Sequence, residues 1–573
     1  MSDIRKELVY AAINRAITSI DYDIYDDFHK QHEFKKQTIL ADNSLTNDEK
    51  TYAIKELNKT YDRYKVKYNY GARRTCENCN QECLATLYCE YCVQNYLKAN
   101  FSNWTSGNND IDNLIQKCQI ETLRPDKIIE WIPYNNLQNI KYLTKGGFSE
   151  IYTAVWIDGS YEEWDSKEQK LIRLGRHKVI LKGLENVENA NQRWFEEAES
   201  HFKISNISSS IIPCFGLTQN PSNGNYMLVI GKADIDLRKY LQQTQNQLTW
   251  KERIKIAYDI TPALKVIHRE NTIHRDLHSG NILYSKLNQR WYISDLGFCG
   301  PADKSTESIY GNLPYIAPEV ISGKNTTVES DIYSIGMLMW EISSGQPPFN
   351  YYENDYKLAL NIINGMRPKV ISGTPLKYEN LMKQCWNADP SKRPDIGTLC
   401  NRIRQLLQFY QNISNEILQQ ETNNLERNKL INNTMSKHIS SKLFTSRIHQ
   451  FKNLPEPRNA TEEEQEAFHS KSYDCFNIPD NIEDFNNPSN KNYAGTSKAS
   501  SILKGMSKRL SKVFNKLQKK SNNGNQINYG KEIVEQQQIK QYNLNINDED
   551  ETYDDKNFHS EEDDVFEIPD DGF

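Results

Sequence analysis

The stretch "IHRDLHSGNILY", Ile273 to Tyr284, places Asp276 five residues before Asn281, and "SDLGF" brings Asp295 nineteen residues after Asp276. A carboxylate at Asp276 can take a proton from an acceptor hydroxyl. An amide oxygen at Asn281 and a carboxylate at Asp295 suit a hard divalent cation. The segment between them, "ILYSKLNQRWYIS", has the pattern of a hairpin that would return Asp295 to Asn281. Upstream, "LTKGGFSEIY" (Leu143, Thr144, Lys145, Gly146, Gly147, Phe148, Ser149, Glu150, Ile151, Tyr152) is a turn between two strand patterns, and its small residues let backbone amides approach phosphates. Lys182 lies on the strand pattern "HKVILKGL", and a buried lysine there needs a carboxylate partner. The helix "NQRWFEEAESHFKI" offers Glu197, with Glu196 as the other register. A base, two cation ligands, a phosphate lid and a paired lysine are the parts of phosphoryl transfer, which needs positioning and charge neutralisation more than covalent help.

These side chains need a large fold to hold them. The chain has 573 residues, too many for one compact domain, so two or three units are expected. From about Trp131 to Leu407 apolar runs of strand length come first ("IKYLTKG", "EIYTAVWI", "HKVILKGL", "NYMLVIG"). Helical patterns follow ("KERIKIAYDITPALKVIHRE", "ESDIYSIGMLMWEISSG"). An α+β domain with a sheet lobe and a helical lobe fits that order. Residues 1–70 are charged and tyrosine-rich, with a helix starting at Thr46 or Asn47, and read as a solvated helical arm. Residues 96–136 read as a linker with a short helix. Residues 411–573 are rich in Asn, Lys, Glu and Ser and read as mostly disordered.

The formal charge of −6 is mild and singles out no partner. No run reaches the roughly eighteen apolar residues of a membrane span. "MSDIRKELVY" lacks the apolar stretch of a secretory signal. Eleven cysteines, five of them between Cys76 and Cys92, argue against a secreted disulfide framework. A cytoplasmic protein with one local metal or thiol site is the expectation.

The ordered set "KGGFSEIY", Lys182, Glu197, "HRDLHSGN", "DLG", "APE" (Ala317–Glu319), "DIYSIGM" and "CWNADPSKRP" resembles the eukaryotic protein kinase family over residues 137–407. The texture is similar to the tyrosine-kinase-like group. The whole arrangement resembles the expanded kinase family of arbuscular mycorrhizal fungi. The resemblance implies a bilobal kinase fold with ATP and magnesium as cofactors and protein substrates as partners. Asp276 would be the base, Arg275 its neighbour able to meet a phosphate on the activation segment, and Asn281 and Asp295 the magnesium ligands. Lys182, paired with Glu197, would bind the α- and β-phosphates, and residues 143–151 would cover the nucleotide. His274 and Asp331 would brace the catalytic loop, and Glu319 and Arg393 would form a buried structural pair.

Several positions depart from the family pattern. Thr144 and Ser149 replace two lid glycines, Ile180 replaces the alanine above the adenine, and Leu296 replaces a phenylalanine. His278 stands where serine/threonine kinases carry a lysine, and Asn312 where they carry its threonine partner. The last two bear on the acceptor, for which serine or threonine is expected. The base, the cation ligands and the lysine remain. The rival reading is a catalytically weak or dead pseudokinase scaffold acting through its zinc module and tail.

"CENCNQECLATLYCEYC" supplies Cys76-x-x-Cys79 and Cys89-x-x-Cys92 within residues 71–95. Two such pairs can close a tetrahedral structural zinc site, with Cys83 as the spare or alternative fourth ligand. Four closed ligands leave no catalytic position. Basic residues beside the cluster are too few to argue nucleic-acid readout. In the tail, "KASSILKGMSKRLSKVFNKLQKK" (498–520) spaces Leu503, Met506, Leu510, Val513, Phe514 and Leu517 as a basic amphipathic helix. That pattern suits a membrane surface or a calmodulin-like partner. The end, 548–573, is acidic, and "FNIPD" (476–480) recurs as "FEIPD" (566–570).

Overall fold

The computed structural model describes residues 4–470 apart from 23, 123, 146–148, 184–192, 245–246, 298, 300–308, 351, 353–355, 413–445 and 452–453. Of 193, 194, 196 and 206 only the backbone is described. All described residues belong to the compact unit Met1–Asp474, and the second unit, Cys475–Phe573, lies outside them. The basic helix expected at 498–520, the acidic end and both Ile-Pro-Asp motifs therefore lie outside the described residues.

Three helices open the chain: α1 (Lys6–Thr18), α2 (Phe28–Ala41) and α3 (Asn47–Lys67). Thr46 caps α3, and Glu49 closes a reciprocal capping box with it. The expected solvated arm is instead a packed unit. Val9, Ala12, Ile13 and Ala16 meet Ile39, Leu45, Ala53 and Leu57 in a core of their own. Each helix carries only a narrow apolar stripe, which looks weak alone but is enough when three stripes converge. The unit also leans on the C-terminal lobe, where Asn14 Nδ2 donates to the Asn288 carbonyl at 3.0 Å and Gln408 Nε2 to the Ile20 carbonyl at 3.1 Å.

The cysteine region follows as β1 (Arg74–Thr75), β2 (Glu82–Cys83) and α4 (Glu90–Ala99), with α5 (Asn109–Ile120) beyond it. Next come β3 (Glu130–Trp131), β4 (Leu137–Lys145), β5 (Glu150–Trp156), β6 (Tyr161–Asp165), β7 (Lys170–Arg173), β8 (His177–Gly183), α6 (Arg193–Ile207), β9 (Cys214–Gln219) and β10 (Tyr226–Gly231). Six of these strands form one sheet in the order β3-β9-β10-β8-β5-β4. Only β3 pairs in parallel within it. The β6–β7 hairpin stands apart, and nothing in the charged run "YEEWDSKEQKLIR" announced it. Its Trp164 and Leu171 pack against Cys76, Tyr88, Cys89 and Cys92, so the cysteine region is docked on the sheet lobe.

The helical lobe contains β11 (Ile235–Asp236), α7 (Leu237–Thr244), α8 (Trp250–Arg269), β12 (Ile282–Ser285), β13 (Arg290–Ile293), β14 (Ile309–Gly311), α9 (Pro318–Ile321), α10 (Val328–Ser344), α11 (Tyr356–Ile363), α12 (Leu376–Cys385) and α13 (Ile396–Asn412). They enclose the largest core, centred on α8 and the almost wholly buried α10. Arg393 meets Glu319 through two bonds of 2.7 Å, both side chains buried, which ties α9 to the base of the lobe.

Within the chain beyond 411, expected to be mostly disordered, residues 446–451 and 454–470 are folded. They form β15 (Arg447–His449) and α14 (Glu462–His469), which lie on the helical lobe. β15 pairs antiparallel with β14, and Phe468 of α14 is buried in the main core. The composition is polar, but a few apolar side chains at the right places suffice because the surface they cover is already folded.

Candidate active site

β8 is central in its sheet, and this holds Lys182 between Ile151 of β5 and Leu228 of β10. Its Nζ lies 2.8 Å from Glu197 Oε1 and 2.6 Å from Asp295 Oδ1. Burial alone would lower the Lys182 pKa, but the Asp295 and Glu197 carboxylates outweigh it and raise it. Burial would likewise raise Asp295, and the Lys182 ammonium instead holds it well below the usual carboxylate range. Glu197, one of the two candidate registers, is the one that meets the lysine. A Cβ on Gly297 would come within 2.7 Å of Glu197 Oε1, so a larger residue there would have to push the Glu197 carboxylate aside.

Asn281 and Asp295 are joined through the hairpin β12–β13. Ser294 N and Ser294 Oγ both donate to the Asn281 carbonyl, at 2.9 and 3.0 Å. Asn281 Nδ2 donates to the Asp276 carbonyl at 2.8 Å, which leaves its Oδ1 available to a cation. Arg275 and Asp295 both have left-handed backbone, with φ of 70° and 57°. Such residues cost roughly 1–3 kcal/mol and persist where the surroundings over-determine them. Here the surroundings centre on buried Asp331, which accepts from His274 N (2.8 Å) and Arg275 N (3.0 Å) and contacts His268 Nε2 (2.9 Å). His274 Nε2 in turn reaches the Ser294 carbonyl at 3.1 Å.

Asp276 is buried, and its Oδ1 accepts a hydrogen bond of 2.8 Å from Ser446 Oγ. His278 Nε2 lies 3.0 Å from Ser446 Oγ. His278 Nδ1 accepts from the Gly280 N–H at 3.0 Å, so in the neutral ring Nε2 carries the proton and donates to Ser446. The histidine that replaces the usual lysine therefore touches the Ser446 hydroxyl.

The turn read as a phosphate lid joins β4 to β5, the strand beside Lys182. Leu143, Thr144 and Lys145 end β4, Glu150 and Ile151 open β5, and Lys145 pairs with Glu150 across the turn. Gly146, Gly147 and Phe148 lie outside the described residues, as do Ser305, Thr306 and Ser308 of the activation segment. Tyr315, which follows them in the chain, is buried and donates to Glu341 Oε2 at 2.5 Å, a structural role. Three participants escaped the sequence reading. His268 and Ser294 carry no local motif, and Ser446 is separated from Asp276 by 170 residues.

Residues 137–403 match the family model of protein tyrosine and serine/threonine kinases. This stretch is a protein kinase domain. The chain is similar to a dual serine/threonine and tyrosine protein kinase of Pimephales promelas, at 29% identity over 266 residues, which is 44% of this chain and 28% of that protein. It is similar to proteins of the same description from Mus musculus, at 34% over 28% of this chain and 18% of the relative, and from Xenopus laevis, at 35% over 26% and 17%. The chain spans less than a third of the length of these relatives. Among the described residues no helix is long and apolar enough to cross a membrane.

The second cluster precedes the matched stretch in the chain and packs on its β6–β7 hairpin. The sulfurs of Cys76, Cys79, Cys89 and Cys92 all lie within 4.8 Å of one another, while Cys83 falls outside the set. Cys76 and Cys92 are 3.7 Å apart, Cys79 and Cys89 3.6 Å. A tetrahedron with Zn–S bonds of about 2.3 Å has edges of about 3.8 Å, so the cluster fits a zinc ion. Burial pushes the Cys92 thiol up to about 12. Burial acts the same way on Cys76, but the backbone N–H groups of Cys79 and Asn78 outweigh it and bring that thiol down to about 6.

Proposed function

We propose that this chain is an ATP-dependent protein kinase of the tyrosine-kinase-like type that phosphorylates serine or threonine hydroxyls of proteins. One observation carries the reading: a serine hydroxyl lies 2.8 Å from Asp276 Oδ1, in a chain whose Lys182 is already paired with Glu197 and Asp295. Lys182 would bind the α- and β-phosphates, and residues 143–151 would cover them. The oxygen donors of Asn281 and Asp295 suit Mg2+, which would supply charge neutralisation at the β- and γ-phosphates. Asp276 takes the acceptor proton and orients the oxygen, and His278 steadies it from the other side. The presence of Asp276, Lys182 paired with Glu197, Asn281 and Asp295 supports activity over the pseudokinase alternative. The relatives are described as acting on tyrosine as well, so the acceptor has to be identified directly.

The Cys76, Cys79, Cys89 and Cys92 site is proposed to hold one structural zinc. The tail at 498–520 is proposed to meet an anionic surface or a calmodulin-like partner, and the protein to act in the cytoplasm.

The test is transfer from labelled ATP with magnesium to generic protein substrates, wild type beside Asp276→Asn, with phospho-amino-acid analysis. Label on serine or threonine that vanishes in the variant is the expected result. Transfer unchanged in the variant, or none from folded protein, would overturn the reading in favour of a scaffold.

A further inference from the structure

Residues 446–451 and 454–470 lie along the helical lobe, and the first of them, Ser446, meets Asp276. β15 lies against β14 with Ile309 opposite His449, Tyr310 opposite Ile448 and Gly311 opposite Arg447. His449 Nε2 contacts the Gly311 carbonyl at 3.0 Å, and its ring stacks on Phe451 at 5.6 Å. Further along, Arg458 N donates to the Ile363 carbonyl at 3.0 Å, and Ala388 N donates to Asn459 Oδ1 at 2.9 Å. Phe468 stacks on Tyr352 at 5.6 Å, and Gln465 Nε2 donates to the Gly365 carbonyl at 2.6 Å. Backbone fits against backbone here: a Cβ on Gly365 would lie 2.2 Å from Ala460 N. An exposed strand edge can recruit any passing segment, and such pairing alone would mean little. This segment is anchored along its length, and its register puts a hydroxyl, not an alanine or a bulky side chain, on the base.

Extended peptides are recognised by strand addition, with backbone bonds giving affinity and the side chains beyond them giving specificity. β14 is the edge that would receive a protein substrate, and the chain's own β15 occupies it. We propose that Ser446 is the chain's own phosphoacceptor, delivered to Asp276 in cis. The proposal rests on the kinase reading above and names a substrate for it. Ser446 Oγ donates its proton to the Asp276 carboxylate and forms a bond to the γ-phosphorus of ATP. The bond from that phosphorus to the β–γ bridging oxygen breaks, ADP leaves with the electron pair, and the proton passes on to solvent. His278 holds Oγ during the step. The product has a consequence for the segment. A phosphoserine carries about −1.5 to −2 charge, set beside the buried Asp276 carboxylate, and the repulsion drives β15 off β14. One turnover in cis thus opens the groove to other substrates.

The experiment uses the full-length chain, dephosphorylated, with magnesium and ATP, at several enzyme concentrations, with a generic protein substrate present. Phosphorylated positions are mapped over time. Ser446 should be labelled first, with a fractional rate unchanged over a ten-fold dilution of enzyme. Phosphorylation of the generic substrate should show a lag that ends as Ser446 fills. Ser446→Ala should lose that label and stay in the slow phase. Adding Phe468→Asp to Ser446→Ala, which loosens α14, should restore the fast phase. Transfer to the generic substrate with Ser446 unlabelled, or label on Ser446 whose fractional rate falls with dilution, would overturn the cis proposal and leave the kinase reading standing. No transfer to anything would overturn both.

Discussion

The cysteine cluster and the catalytic cleft are both built from four or five polar side chains brought within bonding distance, yet they are built in opposite ways. The cluster draws its sulfurs from the short run Cys76–Cys92, on turns around β1, β2 and the start of α4. The cleft draws Lys182 from a central strand, Glu197 from a helix, Asp276 and Asn281 from a loop and Asp295 from beyond a hairpin. A locally assembled thiolate site gains much of its rigidity from the ion it closes around. A site assembled from distant elements is held by the core that packs those elements, and it exists before any ligand arrives. The difference teaches which perturbation each should feel.

The largest effect should come from stripping metal. Structural zinc contributes about 10–16 kcal/mol in small modules, far more than residues 71–95 can replace by packing. A strong chelator, or Cys89→Ser, should open this region to limited proteolysis and remove one equivalent of zinc per chain. Nucleotide binding by the kinase domain should persist, weakened only through the β6–β7 hairpin that touches the cluster. Full loss of nucleotide binding on chelation would break the contrast.

Asp276→Asn is the converse. General-base groups contribute about 10²–10⁴-fold, so transfer should fall by that much in a kinetic assay. The melting temperature should move little, because the amide keeps the shape and can still accept from the Ser446 hydroxyl. A large thermal shift would mean that the base is also a structural element. Glu319→Gln should do the reverse again. Its partner Arg393 is left as an uncompensated buried charge, at a cost of about 3–5 kcal/mol in urea or thermal unfolding. Nucleotide affinity of the remaining folded fraction should be unchanged.

The same contrast separates what could be read in the sequence from what could not. Asp276, Asn281 and Asp295 sit at spacings dictated by one loop and one hairpin, so they were visible as a set. Glu197 against Glu196 was a question of helix phase, which only the packing of α6 decides. The core of α1–α3 was missed because no single helix there is strongly amphipathic. The hairpin β6–β7 was missed because its buried Trp164 and Leu171 are separated by charged residues. Ser446 was invisible for a deeper reason: its meaning comes from β15 pairing with β14, a contact far apart in the chain that no local pattern encodes.

The smallest predicted effect is a pH slope that distinguishes the N-terminal helices from the cysteine cluster they adjoin. His32 on α2 is buried, stacked on Tyr61 at 4.0 Å and bonded to Asn58 Oδ1 at 3.0 Å. Burial lowers its pKa to about 4, with Lys35 and Lys36 acting the same way and Asn58 and Glu33 opposing. The ordinary value is about 6.5. Between these two values the unfolded chain binds a proton that the folded chain does not. Stability from this group is therefore complete above about pH 6.5 and lost as pH falls toward 4, with a slope of at most about 1.4 kcal/mol per pH unit. Acid also protonates thiolate ligands and releases zinc, so both regions should loosen together in wild type. His32→Gln separates them. It should flatten the slope of helix unfolding, followed by circular dichroism, while the pH at which zinc is released stays where it was. If zinc release shifts as well, the helices and the cluster are one cooperative unit, coupled through Asp62, which accepts from Leu87 N at 2.8 Å and pairs with Lys65 at 3.0 Å at the C-terminal end of α3.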